Sequence, residues 1–250
     1  MGVTDEIFAT GHSLGQVSAL GVENVLGIED TLILAKQRGE QMQEESEGLG
    51  GMVVLATGAD ERSLRNKLNS LAEIPEVQAL LIKWGDLRSF WEITVQNAAT
   101  RFVLGGLASQ SDLLRYIDGP KLTEYPAASL SHTELMIKAQ IRLNELLESL
   151  SVRFRTPYRP ILGDIGNNLK ASVEQLLADL KIHLVTPIDW NENTDQIVLT
   201  GADVVEVGGA MLKSVTDQKK GIGFYPTETW EQIVEVIGKF GTPKVFVLVS

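Results

Sequence analysis

Gly11-His12-Ser13-Leu14-Gly15 sets a serine between two glycines, directly after the apolar, β-favouring run Ile7-Phe8-Ala9-Thr10. A serine at a strand-to-helix turn suits a nucleophile. Small neighbours let the backbone turn sharply, and the N–H groups that open the next helix can stabilise an oxyanion. The same serine would also serve as a helix cap. Taken alone, the pattern weighs the two evenly. Other chemistry is scarce: there are 3 histidines, His12, His132 and His183, and no cysteine. A thiolate nucleophile, a disulfide framework and a Cys-ligated metal are therefore excluded within this sequence. The 33 acidic against 22 basic residues, a net charge of −11, argue against nucleic acid as the partner.

Such residues need a scaffold to position them. The chain has 250 residues, 44% hydrophobic and 22% charged, which is ordinary globular usage for one large domain or one carrying a smaller insertion. No apolar run approaches the ~20 residues of a membrane helix, and Met1-Gly2-Val3-Thr4-Asp5-Glu6 lacks the basic head of a signal peptide. The sequence reads as soluble and cytoplasmic. Leu32, Ala35, Gly39 and Met42 recur at helical spacing over 28–45, and Gly48, Gly50 and Gly51 end that helix. Residues 52–56 read as a strand and 61–72 as a helix. Residues 90–95 and 101–104 read as strands around the turn 96–100. A second helix is expected over 109–117 and an extended segment over 122–130. The order β-α-β-β-α-β is the ferredoxin-like pattern, read here as an inserted subdomain over 50–128, with 1–49 and 129–250 forming the main domain. Further on, the pattern predicts helices over 135–150 and 172–184 and from Trp190, with strands over 153–161 and 203–207. A last helix near 230–237 and a strand over 245–249 complete the reading.

A longer string narrows the choice at Ser13. Gly11-His12-Ser13-Leu14-Gly15-Gln16-Val17-Ser18-Ala19-Leu20 is followed by Glu29-Asp30 and by Arg38-Gly39-Glu40-Gln41-Met42-Gln43. Together these resemble the malonyl-CoA:acyl carrier protein transacylases, a family that includes the acyltransferase domains of fatty acid and polyketide synthases. That family carries a GHSLGE-type elbow and, 25 positions on, an arginine in an R-G-x-x-M segment; here 38 − 13 = 25. The likeness continues through Gly50-Gly51-Met52, the Asn97 turn, Ser131-His132-Thr133-Glu134-Leu135-Met136, Thr186-Pro187-Ile188-Asp189-Trp190 and Glu206-Val207-Gly208. It runs in order across roughly residues 6–212.

The resemblance implies an α/β fold: a hydrolase-like parallel-sheet core with the ferredoxin-like subdomain inserted, and a site in the cleft between them. It implies that Ser13 is the nucleophile, His132 its general base and the Leu14 backbone N–H an oxyanion donor. Arg38 would hold the malonyl carboxylate in its guanidinium fork and so select malonyl over acetyl. Asn97 matches the second asparagine of the family's N-x-N-S-P-G-Q turn, although Ala98-Ala99-Thr100-Arg101 replaces S-P-G-Q. His183 falls where members carry Gln or His to support the catalytic histidine, and His12 would orient the elbow. Gln16 stands where Glu is usual, and Gly208-Gly209-Ala210 replaces G-P-G. Ser131 before the histidine leaves the acyl group open.

The implied reaction is ping-pong transfer of malonyl from coenzyme A, through a Ser13 ester, to the phosphopantetheine thiol of an acyl carrier protein. No metal or redox cofactor is implied. The partners are malonyl-CoA and the carrier protein, which would meet Arg153, Arg155 and Arg159 on the strand predicted over 153–161. Two alternatives stand beside this reading. One is a serine esterase or thioesterase, whose triad order places a histidine late, whereas the last histidine here is His183. The other is a non-catalytic, degenerate acyltransferase serving as an interaction module. The family also carries a first strand and a G-Q-G-x-Q loop ahead of the elbow, the loop supplying a second oxyanion N–H. Here the elbow opens at Gly11, as if the N-terminal quarter were lacking. The expectation is a poor catalyst whose elbow strand has an exposed flank, open to self-association or completion by another chain.

Overall fold

Strand β1 (Ala9–Gly11) lies inside a sheet, with a parallel neighbour on each side. The computed structural model describes residues 8–78, 91–124, 130–200, 203–207, 224–227, 229, 231, 232, 235 and 245–249. Within them the chain divides into two compact units. The first comprises Met1–Gln37, Leu143–His183 and Asp189–Ser250, and the second Arg38–Arg142 and Leu184–Ile188.

The first unit is built on β1, followed by α1 (Leu14–Val22) and the start of α2 (Ile28–Leu49). The second unit takes the rest of α2, then β2 (Gly51–Thr57), α3 (Glu61–Ser70), β3 (Glu92–Ala98), β4 (Arg101–Leu107) and β5 (Lys121–Glu124). The chain then runs through α4 (Ile137–Leu150), β6 (Ile161–Leu162), β7 (Leu169–Lys170), α5 (Val173–Leu180), β8 (Ile188–Asp189) and α6 (Trp190–Thr200). It ends with β9 (Asp203–Val207), β10 (Phe224–Thr227) and β11 (Val245–Val249).

The first unit's sheet has the order β10-β9-β11-β1-β6-β7. All neighbours pair in parallel except β7, which runs antiparallel to β6. Ala9 faces Val247 on one side and Ile161 on the other, and the Thr10 hydroxyl donates to the Leu162 carbonyl at 2.9 Å. The expected exposed flank of the elbow strand is therefore a misreading. Strands β11 and β6 occupy both edges of β1, and the edge that would have driven self-association is already paired. Because β1 and β6 are parallel, the loops after Gly11 and Leu162 leave the sheet side by side.

The strand expected over 153–161 is also corrected. Ser151–Arg153 is a single 3-10 turn, irregular backbone follows, and only Ile161–Leu162 joins the sheet. Pro157 and Pro160 have no N–H to give a ladder. The segment bonds instead to the loop after α1, through Arg155 N–H to Val25 O (2.8 Å) and Tyr158 N–H to Glu23 O (3.0 Å). The arginines thus form no basic strand face: Arg153 pairs with Asp30 at 2.6 Å and Arg159 with Glu23 at 3.2 Å.

In the second unit β2 runs antiparallel to β4 and β5, and β3 antiparallel to β4. The order β5-β2-β4-β3-β8 puts the first and third strands of the insertion in the middle, as the ferredoxin-like pattern requires, and adds β8 at one edge. Asp60 caps α3 by accepting the Ser63 N–H at 2.9 Å. Leu64, Leu68 and Leu71 are buried with Trp91, Phe102, Leu104 and Leu113 in one core. Two local details differ from the sequence reading. The second helix of the insertion is a 3-10 helix, Ala108–Tyr116, and the hairpin turn shortens to Ala99-Thr100 because β3 runs on to Ala98. The ends of the extended segment over 122–130 and of the helix near 230–237 lie largely outside the described residues, as does Gly208-Gly209-Ala210. Among the described residues no helix is long and apolar enough to cross a membrane.

One carboxylate of this unit is disfavoured in its charged form. Burial on β3 raises the Glu92 pKa, the nearby Glu134 charge raises it further, and a hydrogen bond from the Glu134 backbone opposes both. A carboxyl with a raised folded pKa adds stability below its ordinary value of 4.5 and loses it as pH rises through the folded value. Glu92→Gln is therefore expected to be more stable than the parent at pH 7, with the gain vanishing below pH 4.5. Urea unfolding of both proteins across that range checks it, and an equal difference at both ends would refute it.

Candidate active site

The elbow forms where β1 ends and α1 begins. Ser13 sits between them with φ 54° and ψ −102°, a left-handed conformation rare outside glycine. Holding a serine there costs on the order of 1–3 kcal/mol, which the surrounding structure must supply. The Ser13 hydroxyl makes no capping hydrogen bond, so the residue does not act as the helix cap that the plain reading allowed. Backbone bonds close the turn instead, from Gly15 N–H to His12 O (2.9 Å) and from Gln16 N–H to Ser13 O (3.1 Å). Gly11 is needed for close approach: a Cβ there would lie 1.9 Å from the Gly15 carbonyl carbon. Leu14 opens α1, so its backbone N–H has no acceptor within the helix, and its side chain is exposed.

Directly behind the elbow lies a residue that sequence reasoning missed. Asp164, in the loop after β6, accepts the Ser13 N–H on Oδ2 at 3.0 Å. The same oxygen is 3.0 Å from His183 Nε2, and both side chains are fully buried. His183 is thus brought to the underside of the elbow through Asp164. The only sequence signal for Asp164 is an acid following the apolar pair Ile161-Leu162 and a glycine, at the carboxyl end of a strand. His12 stands edge-on to the buried Trp190 ring, 5.1 Å between centroids at 76°.

Within the second unit, His132 is fully buried and has φ 61°. Its loop is fixed on both sides: Leu130 N–H donates to Ser46 Oγ at 2.7 Å, and Thr133 N–H donates to Leu184 O at 3.2 Å. Gln140 Oε1 in turn accepts the Leu184 N–H at 2.7 Å. Arg38 is only 3% exposed. The buried face of α2 runs Thr31, Leu34, Arg38, Met42 and Ser46, whereas Leu32 is exposed. The stripe expected through Leu32, Ala35 and Gly39 is therefore rotated, because polar groups share the inward face. Arg38 lies at the centre of that buried face. Asn97 is not in a turn but on β3, at an irregularity in the ladder between Gln96 and Ala98. Bulges of this kind re-aim a side chain, and Asn97 Oδ1 has no hydrogen-bond partner among the described residues. No group of three or more His, Cys, Asp or Glu among the described residues could hold a metal ion.

No family model matches the chain. It is 22% identical over 242 residues to the malonyl CoA-acyl carrier protein transacylase of Bacillus subtilis strain 168, covering 94% of this chain and 73% of the relative. With the enzyme of the same name from Escherichia coli K12 it shares 24% identity over 209 residues, 82% of this chain and 63% of the relative. The chain thus spans 63% to 73% of these two relatives. Its fold matches, with a TM-score of 0.80 and 20% identity, a solved structure of a type II PKS acyl-carrier protein in complex with its malonyl-transacylase. That match covers 93% of this chain and 72% of the other. The chain is thus similar over most of its length to the malonyl CoA-acyl carrier protein transacylases, and it shares the α/β fold of the solved one.

Proposed function

We propose that the chain moves a malonyl group from coenzyme A to the phosphopantetheine thiol of an acyl carrier protein, through an ester on Ser13, in the cytoplasm. The observation that carries this reading is Ser13 itself, left-handed between β1 and the first N–H groups of α1. His132 takes the proton of Ser13 Oγ as that oxygen attacks the thioester carbonyl. The Leu14 N–H donates to the oxyanion that forms. The C–S bond then breaks, and His132 returns the proton to the leaving thiolate. In the second half the carrier's thiol gives its proton to His132 and attacks the ester, and Ser13 recovers its hydroxyl proton. Arg38 holds the malonyl carboxylate in a two-point fork, and Asn97 offers an amide to the substrate. His12 and His183 act on the elbow from behind, not on the acyl group.

Incubation with malonyl-CoA is expected to add one malonyl mass to the peptide containing Ser13, and label on another residue would count against the reading. Arg38→Ala is expected to lower malonylation about ten- to a hundredfold more than acetylation, because only malonyl loses a charge-assisted pair of about 1.5–3 kcal/mol. The ratio of the two rates is the measurement, since it cancels any general loss of folded protein. Equal loss for both acyl groups would make Arg38 a packing residue.

A further inference from the structure

Asp164 has a role that follows from the sheet rather than from any motif. Thr10 on β1 faces Leu162 on β6 in parallel register, so the two chains leave the sheet together, one toward Ser13 and the other toward Asp164. The residue between strand and acid, Gly163, has no room for a side chain. A Cβ there would lie 2.7 Å from Asp179 Oδ2 and 2.8 Å from Lys170 Cε. Lys170 and Asp179 form a buried ion pair at 2.9 Å, so this stretch of backbone is clamped beside it. The Asp164 carboxylate then has two anchors: its own pinned backbone and His183 at 3.0 Å. Its Oδ2 accepts the N–H of Ser13, a residue ahead of α1 whose N–H has no place in the helix ladder.

We propose that Asp164 is the positioning residue of the nucleophile, holding the Ser13 backbone left-handed so that Oγ is presented for attack, with His183 orienting the carboxylate. The proposal rests on the acyl-transfer reading and assigns the elbow's support within it. The task requires an acceptor oxygen at this point. An asparagine amide oxygen can accept from both Ser13 N–H and a His183 Nε2–H, and alanine can accept from neither.

Asp164→Ala is expected to slow Ser13 malonylation at saturating malonyl-CoA about ten- to a hundredfold, the scale of loss that follows a misplaced reacting group. KM for malonyl-CoA should stay within about threefold, because Asp164 lies behind the elbow, away from the acyl group. Asp164→Asn should recover most of the lost rate. An Asp164→Ala protein that acylates at the parental rate would overturn the proposal, and so would equal losses in the two variants. A second measurement needs no substitution: hydrogen exchange of the Ser13 amide, followed by NMR in the unaltered chain. Slow exchange is expected from a donor held by a buried carboxylate, and exchange at the rate of an open amide would overturn the assignment. The amide result decides the question of Asp164 on its own, whereas failure of the unaltered chain to take up malonyl would bear on the acyl-transfer reading.

Discussion

Ser13→Ala is expected to take up no malonyl group from malonyl-CoA, with acyl transfer falling about a millionfold, as when other serine nucleophiles are removed. The size of the effect follows from the mechanism. Without Oγ no ester forms, and the ping-pong route loses the intermediate that divides it into two easier steps. Alanine keeps the backbone N–H that Asp164 accepts and the Leu14 N–H at the head of α1, so binding of the thioester should survive. Intact-mass analysis after incubation checks it: the parent gains a malonyl mass and the variant does not. Undiminished label in the variant would move the nucleophile elsewhere.

Gly11→Ala should be the most damaging small substitution in the elbow. The new Cβ would lie 1.9 Å from the Gly15 carbonyl carbon, 2.0 Å from its oxygen and 2.5 Å from Gln16 N. All three are backbone atoms in the first turn of α1, so no side-chain rotation relieves the clash. Either β1 leaves its register with β11 and β6 or the helix start moves, and both routes dismantle the turn that carries Ser13. A loss of more than about 3 kcal/mol is expected, at the severe end for a single methyl. Chemical denaturation measures it, and a midpoint equal to the parent's would show that the elbow is looser than its packing implies.

Much of the scaffold could be read along the chain because it is set by local rules. The periodicity of Leu64, Leu68 and Leu71 marked α3, since a helix places side chains at fixed intervals, and short apolar runs marked β2 and β4. The order of those elements was enough for the ferredoxin-like insertion. The failures share a cause as well. The segment 153–161 carries a strand-like composition, but its N–H groups bond to the loop after α1, and nothing in its own residues announces that partner. The inward face of α2 was misjudged because it buries Thr31, Arg38 and Ser46, and a hydrophobic pattern does not register polar groups that are paired only in the fold.

The candidate site divides in the same way. Sequence alone determined the elbow string, the offset from Ser13 to Arg38 and the presence of His132, because each is a short pattern of residue types. Only the tertiary structure decided that Ser13 is left-handed, that Arg38 is buried, and that β1 is paired on both edges. It alone brought Asp164 to Ser13 across 151 residues. Parallel pairing of β1 with β6 makes that contact, and strand pairing over such distances depends on the whole sheet being assembled, not on any property of the two segments taken singly.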